Sequence, residues 1–232
     1  MRTFTYPGRD GCPLFATSEA DTGIDHGPDT RPPVVALHGG GPDHRSMLPL
    51  ARRLADRHRV VLPDIRGYGR SVCADPARHT WDQYADDVIT LLDHQRLAVA
   101  AVIGAGLGGT IALRAAAAYP DRISAVVVVS LEDIEDDEAK AAETVFLDAF
   151  ARRVADEGIA AGWEPILADF APLIGTLVRE AIPRSDPASI AAAAAIGHDR
   201  AFRRVADLAA VTVPALIVSG SDARHPTALA AE

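Results

Sequence analysis

Three glycine-rich turns carry most of the chemistry this sequence could do. His38-Gly39-Gly40-Gly41-Pro42 follows the apolar run Val34–Leu37. Glycines in such a loop let backbone N–H groups approach and hold a developing negative oxygen. Gly104-Ala105-Gly106-Leu107-Gly108-Gly109 follows a second apolar run, Ala98–Ile103, and opens a helix over Leu107–Ala118. Between these two turns lies Asp64-Ile65-Arg66-Gly67-Tyr68-Gly69-Arg70-Ser71. Near the end, His225 stands three residues after Asp222, and His198 closes a helical stretch where it could face a pocket. A histidine titrates near neutrality and can move protons, although a loop histidine is more often simply solvated. His38 reads as a brace for the glycine loop.

The glycines at 104, 106 and 109 also satisfy a dinucleotide-binding spacing. Two features count against that use. The turn follows the third strand of the α/β series rather than the first. The expected acidic residue about 20 positions on is missing, since Ser124 and Ser130 stand there.

These residues need a scaffold, and the hydrophobic pattern supplies one. Phe4–Tyr6 and Leu14–Ser18 flank a Pro-Gly turn cluster and predict a hairpin. Val34–Leu37 and Ala98–Ile103 predict buried strands, and Val60–Leu62, Ile123–Val129 and Val213–Ser219 predict further strands of the sheet. Helices are expected from Ser46 to about His58, from Thr80 to about Arg96, and over Leu107–Ala118. Alternating strands and helices predict an α/β fold, a mostly parallel sheet flanked by helices. From Glu132 to about Arg204 no strand is expected. That stretch is alanine-rich, punctuated at Gly162, Pro165, Pro172, Pro183 and Pro187, and reads as several short helices. Trp163 within it is a candidate pocket wall, against the ordinary alternative of core packing.

Composition bounds the partners. The chain has 232 residues, 48% hydrophobic and 24% charged, with a net charge of −9. That balance fits a soluble globular domain and disfavours nucleic acid or an anionic membrane. Aromatics are only 5%, too few for a base-stacking platform. Two cysteines, Cys12 and Cys73, read as free thiols and exclude a four-cysteine metal site. The N-terminus lacks the apolar run of a signal peptide, and no stretch reaches the roughly 20 apolar residues of a membrane span. The expectation is a cytoplasmic protein with a small-molecule substrate or ligand, and with neither metal nor organic cofactor.

The three turns, in this order and on these elements, resemble the α/β-hydrolase fold superfamily, over residues from about 4 to 232. The resemblance implies a hydrolase core over 1–131 and 205–232 and a helical cap inserted over 132–204. It implies that the backbone N–H groups of Gly40 and Leu107 form an oxyanion hole, and that the turn at Asp64–Ser71 is structural. Gly106 falls where the family carries its nucleophile. It keeps the turn and has no side chain with which to attack, so the Ser-His-Asp mechanism is closed to the chain as written. The candidate acid is Asp222, with Glu132 and Asp133 at the position some relatives use. The family's histidine follows an eighth strand, which this sequence does not reach, and a shortened chain is the expectation. The implied ancestry is a hydrolase of an ester, amide or C–C bond in a small molecule. A non-catalytic binding protein and a triad-independent cyclase or lyase remain as alternatives.

Overall fold

A computed structural model of the protein describes residues 1–18, 31–132 and 137–220. Strands β1 (Arg2–Pro7) and β2 (Pro13–Ser18) form the hairpin, pairing Arg2 with Ser18 and Pro7 with Pro13. The turn is closed by a bond from the Gly8 N–H to the Cys12 carbonyl (2.8 Å). The chain then alternates β3 (Pro33–Leu37), α1 (Leu48–Leu54), β4 (Arg59–Pro63), α2 (Trp81–His94), β5 (Ala100–Ala105), α3 (Leu107–Ala118) and β6 (Ile123–Val129). After a helical stretch, β7 (Ala215–Val218) returns to the sheet. The strand order is β1-β2-β4-β3-β5-β6-β7. Strands β4 to β7 pair in parallel through β3, β5 and β6, and β2 joins β4 antiparallel. This is the mostly parallel α/β sheet expected.

Strands β3, β4 and β5 are covered on both faces, as parallel strands require. Alternate residues of a strand point to opposite faces. Ala36, Val60 and Leu62 pack against Met47 and Ala51 beneath α1. Val35, Leu37, Val61 and Val102 face the larger core formed with α2 and α3. Helix α2 starts as its sequence predicts, with the Thr80 hydroxyl accepting from the Gln83 N–H (3.2 Å).

Helix α1 departs from expectation. A single helix from Ser46 to about His58 is replaced by a 3-10 turn over His44–Met47 and an α-helix over Leu48–Leu54. The cap is Asp43, whose side chain accepts from the Arg45 N–H, and not Ser46. Pro49 is the cause: it is tolerated only in the first turn of an α-helix, so the helix restarts beside it.

Between β6 and β7 the described residues form helices and no strand. They are α4 (Asp137–Glu157), α5 (Ile159–Trp163), α6 (Pro172–Ala181) and α7 (Pro187–Ala193). Pro172 and Pro187 open their helices, and Asp186 caps α7 by accepting from the Ser189 N–H (2.8 Å). These helices hold a second core of Phe150, Val154, Ile159, Trp163, Ile166, Val178, Ile190 and Ala194. Tyr68 packs against both this core and the main one. Three polar contacts tie the layer down. The Arg184 Nε donates to Asp43 Oδ2 (2.6 Å), the Cys73 N–H donates to Ser189 Oγ (2.9 Å), and the Trp81 N–H donates to Asp199 Oδ2 (2.9 Å). At the sheet's far edge β7 is exposed, with Leu216 at 57% and Val218 at 42%. No helix among the described residues is long and apolar enough to cross a membrane.

Candidate active site

The glycine loop and the elbow meet because their strands are neighbours. Strand β3 pairs with β5 and places Leu37 opposite Gly104, so the loop after one strand lies beside the turn after the other. A Cβ at Gly39 would lie 3.4 Å from the Ala105 carbonyl oxygen. Ligand sites in open α/β sheets form at such carboxyl ends.

The elbow is tight. Gly106 has φ +49° and ψ −122°, a backbone conformation that side-chain-bearing residues rarely adopt. Its N–H donates to the Val129 carbonyl (2.9 Å), and its own carbonyl accepts from Gly109 (2.7 Å) and Thr110 (3.2 Å). Helix α3 then starts at Leu107, whose N–H lies in the first turn and has no intrahelical partner. Gly104 and Gly108 allow the helix to sit on the strands. A Cβ at Gly108 would lie 2.5 Å from the His38 carbonyl oxygen and 2.8 Å from Leu37 Cβ, and one at Gly104 would collide with the Gly108 backbone.

His38 is fully buried and braces the loop. Its Nε2 accepts from the Ile65 N–H (2.9 Å), so the ring proton is on Nδ1, which donates to the Gly39 carbonyl (2.8 Å). Burial lowers its pKa, against the pull of Asp64, and keeps it neutral. Both ring nitrogens are spent on the backbone. Asp64 begins the next turn and accepts from His44 Nδ1 (2.7 Å), the His44 N–H (2.8 Å) and the Arg70 N–H (2.8 Å). Burial alone would raise its carboxyl pKa, but His44 above all holds it below the usual value. Arg66 is buried between Asp10 and Asp87, and Ser71 Oγ donates to the Asp64 carbonyl (2.7 Å). Asp64, Arg66 and Ser71 are therefore committed to structure.

Trp163 is both a packing residue and a neighbour of the loop. Its ring meets Phe150 edge-on at 4.9 Å, and its Cζ2 lies 2.8 Å from where a Cβ at Gly41 would stand. Tyr68, read in the sequence only as part of a structural turn, reaches the site as well. Its hydroxyl is 3.8 Å from the Cβ position of Gly40, and its ring stands edge-on to His38 at 5.7 Å.

His198 is not brought to the elbow. Its Nε2 pairs with Asp148 Oδ1 (2.8 Å) on α4, and it lines a polar groove with Arg114, Asp199 and Arg200 beside the last turns of α3. That is the end of the helix remote from Gly106, roughly 10–15 Å along its axis. Asp222 and His225 lie outside the described residues. Among the described residues no three His, Cys, Asp or Glu side chains converge as a metal site. Cys12 and Cys73 are free and buried, and burial pushes the Cys12 thiol up to about 11.

The residue that does reach the elbow is Glu132. Ser130, with φ +58°, turns the chain after β6, and its N–H donates to the Val218 carbonyl (2.9 Å). Two residues later, the Thr110 hydroxyl donates to the Glu132 carbonyl (2.8 Å). The Glu132 Oε1 then lies 2.9 Å from the point where a side chain at residue 106 would begin.

Comparison with known proteins bears on the fold. Residues 32–161 match the family model described as alpha/beta hydrolase fold. RutD of Caulobacter vibrioides, named as a carbamate hydrolase, is 39% identical over 105 residues, 45% of this chain and 39% of that protein. The match thus spans about two-fifths of that curated relative's length. An esterase from Thermogutta terrifontis superposes with a TM-score of 0.79 at 26% identity, covering 100% of this chain and 85% of that one. A hydrolase from Pseudomonas aeruginosa superposes at 0.82 with 20% identity, covering 99% and 84%.

Proposed function

The chain belongs to the alpha/beta hydrolase fold family, and from that premise we propose that its elbow and glycine loop form a site for a small molecule bearing an acyl or similarly polar carbonyl group. The lineage is that of hydrolases of esters, amides or C–C bonds. The observation that carries the reading is the juxtaposition of the Gly39–Gly41 loop with the first turn of α3 across adjacent strands. The N–H groups of Gly40 and Leu107 serve as the carbonyl-polarising pair, and amides fixed in advance stabilise a developing oxyanion without reorganisation. Residues 132–204 act as the cap, with Trp163 and Tyr68 at the loop. The names of the esterase and the carbamate hydrolase support acyl chemistry in relatives.

With glycine at 106 no acyl-enzyme forms there, so the Ser-His-Asp route is closed. The protein works on a small molecule in the cytoplasm, without metal or organic cofactor and without nucleic acid or membrane as partner.

The test is a titration followed by amide NMR. Short-chain ketones shaped like esters are expected to shift the Gly40 and Leu107 amides. Intact-mass measurement after p-nitrophenyl acetate is expected to find no acyl group on residue 106 of the unmodified chain. A full ketone series that leaves both amides unmoved overturns the reading.

A further inference from the structure

Resting on that reading, we infer that Glu132 is a catalytic residue: its carboxylate stands in the place vacated at the elbow and acts as the general base for direct attack of water on the substrate carbonyl. The distance is the argument. An oxygen of Glu132 sits 2.9 Å from the Cβ position of residue 106, with Cδ at 3.3 Å and Oε2 at 3.4 Å. A serine here would have to displace the carboxylate. The glycine and the carboxylate are two halves of one arrangement, in which a proton acceptor occupies the space of a nucleophile.

The position is built rather than accidental. One bond holds the Glu132 backbone itself, from the Thr110 hydroxyl to its carbonyl, and two hold the segment leading to it, Gly106 N–H to the Val129 carbonyl and Ser130 N–H to the Val218 carbonyl. The first comes from α3 itself, so the helix that presents the Leu107 amide also holds the Glu132 backbone beside it. Ser130 adopts the left-handed region uncommon for a residue with a side chain, and that turn sends Leu131 and Glu132 toward the elbow.

The chemistry balances without a covalent intermediate. The Glu132 carboxylate takes a proton from water as the water oxygen bonds to the carbonyl carbon. The carbonyl π pair moves to oxygen, and that oxyanion is held by the Gly40 and Leu107 N–H groups. Collapse breaks the bond to the leaving group, which departs with the proton returned from Glu132. Water has been added across the acyl bond, and the carboxylate is regenerated. His38 is unsuited to this role because both its ring nitrogens are bonded to backbone, and Glu132 is placed for it by its distance from the elbow.

The experiment measures p-nitrophenyl ester hydrolysis by the unmodified chain and by Glu132→Gln, with the Gly40 and Leu107 amide shifts followed in both. The expected result is turnover by the unmodified chain with an acid limb in its pH profile. Glu132→Gln, nearly isosteric, loses about 10²–10⁴-fold, the usual contribution of a positioned general base, and keeps the amide shifts. Thr110→Val, which loosens a positioning residue, lowers kcat while leaving KM near its starting value. Amide shifts without turnover, or turnover that Glu132→Gln leaves intact, overturn the role of Glu132 and leave the binding site standing. An acyl group trapped by hydroxylamine on Glu132 overturns the general-base step in favour of direct attack. Loss of the amide shifts with every ligand removes the site itself, a result distinct from the others.

Discussion

The guanidinium of Arg66 closes on Asp87 as a two-pronged pair, Nε to Oδ2 at 2.8 Å and Nη2 to Oδ1 at 2.7 Å, with no solvent reaching the arginine side chain. Asp10 takes the remaining side of the fork at 2.8 and 2.9 Å. The pair links the turn after β4 to α2, and Asp10 adds the β1–β2 hairpin. Burial pushes Asp87 up to about 6, and the Arg66 hydrogen bonds oppose that shift.

Arg66→Met therefore strands two carboxylates around a buried apolar side chain. Breaking a buried pair from one side costs roughly 3–5 kcal/mol. Denaturant unfolding should register a loss of that order. A change below about 1 kcal/mol would mean that the fork is not holding the turn.

Gly108→Ala tests the contact between α3 and the sheet. Its methyl group would lie 2.5 Å from the His38 carbonyl oxygen, and backbone cannot rotate away as a side chain can. Overpacking of this kind costs roughly 1–3 kcal/mol. The variant should lose stability and also disturb the Gly40 amide signal. Gly11→Ala provides a contrast, since nothing lies within 4 Å of its Cβ position and only its φ of +78° opposes the change.

Acid should weaken the fold through His38 and His79 before Asp10 and Asp64 titrate, while Asp87, pushed up to about 6, takes its proton first in the folded chain and offsets part of that loss. His38 and His79 are both held neutral by burial, with pKa values below the ordinary 6.5. His79 donates from Nε2 to the Cys73 carbonyl (2.9 Å) and accepts at Nδ1 from the Tyr84 hydroxyl (2.8 Å). A depressed histidine pKa means that the unfolded chain binds protons first as pH falls. Stability is full above about 6.5 and declines below it. Asp10 and Asp64, held below 3.8, add their losses only at lower pH. Thermal unfolding between pH 7.5 and 5 should follow this descent, and His38→Gln should flatten it. A melting temperature constant over that interval would contradict the neutral, buried histidines.

The exposed apolar face of β7 should be sticky. Among the described residues β7 is the last strand of the sheet, and the exposed Leu216, Ile217 and Val218 on it favour contact with another chain. Leu216→Lys is expected to reduce self-association in sedimentation at high concentration without lowering the melting temperature. Equal association in both proteins would place the contact elsewhere.

Much of this architecture was legible in residue patterns. The strand Ile123–Val129 is found with the boundaries its β-branched run predicts, and Leu107–Ala118 forms the expected helix. Such segments are long and carry one strong periodicity. Helix α1 departs from its pattern because the apolar spacing of Met47, Leu50 and Leu54 runs through Pro49 and conceals the restart there. The site was only half legible. Glycine-rich loops after strands announce close backbone approach, so Gly40, Gly106 and Leu107 could be singled out. Pattern alone did not select Glu132 from the neighbouring acids, because its place depends on the turn at Ser130 and the bond from Thr110. His198 illustrates the converse. Its position at the end of the helical stretch suggested a pocket, but the packing of that stretch carries it to the remote end of α3, beside Asp148.

The helices above the glycine loop are fastened at Asp43, Cys73 and Trp81, through Arg184, Ser189 and Asp199. Those anchor points belong to three separate segments of the core. A layer held so widely cannot swing as one flap about a single hinge. Traffic of a ligand then depends on brief local breathing between the fastenings. The rate at which a molecule enters is set by the protein's own fluctuations more than by collision, so it should saturate with concentration and respond steeply to temperature.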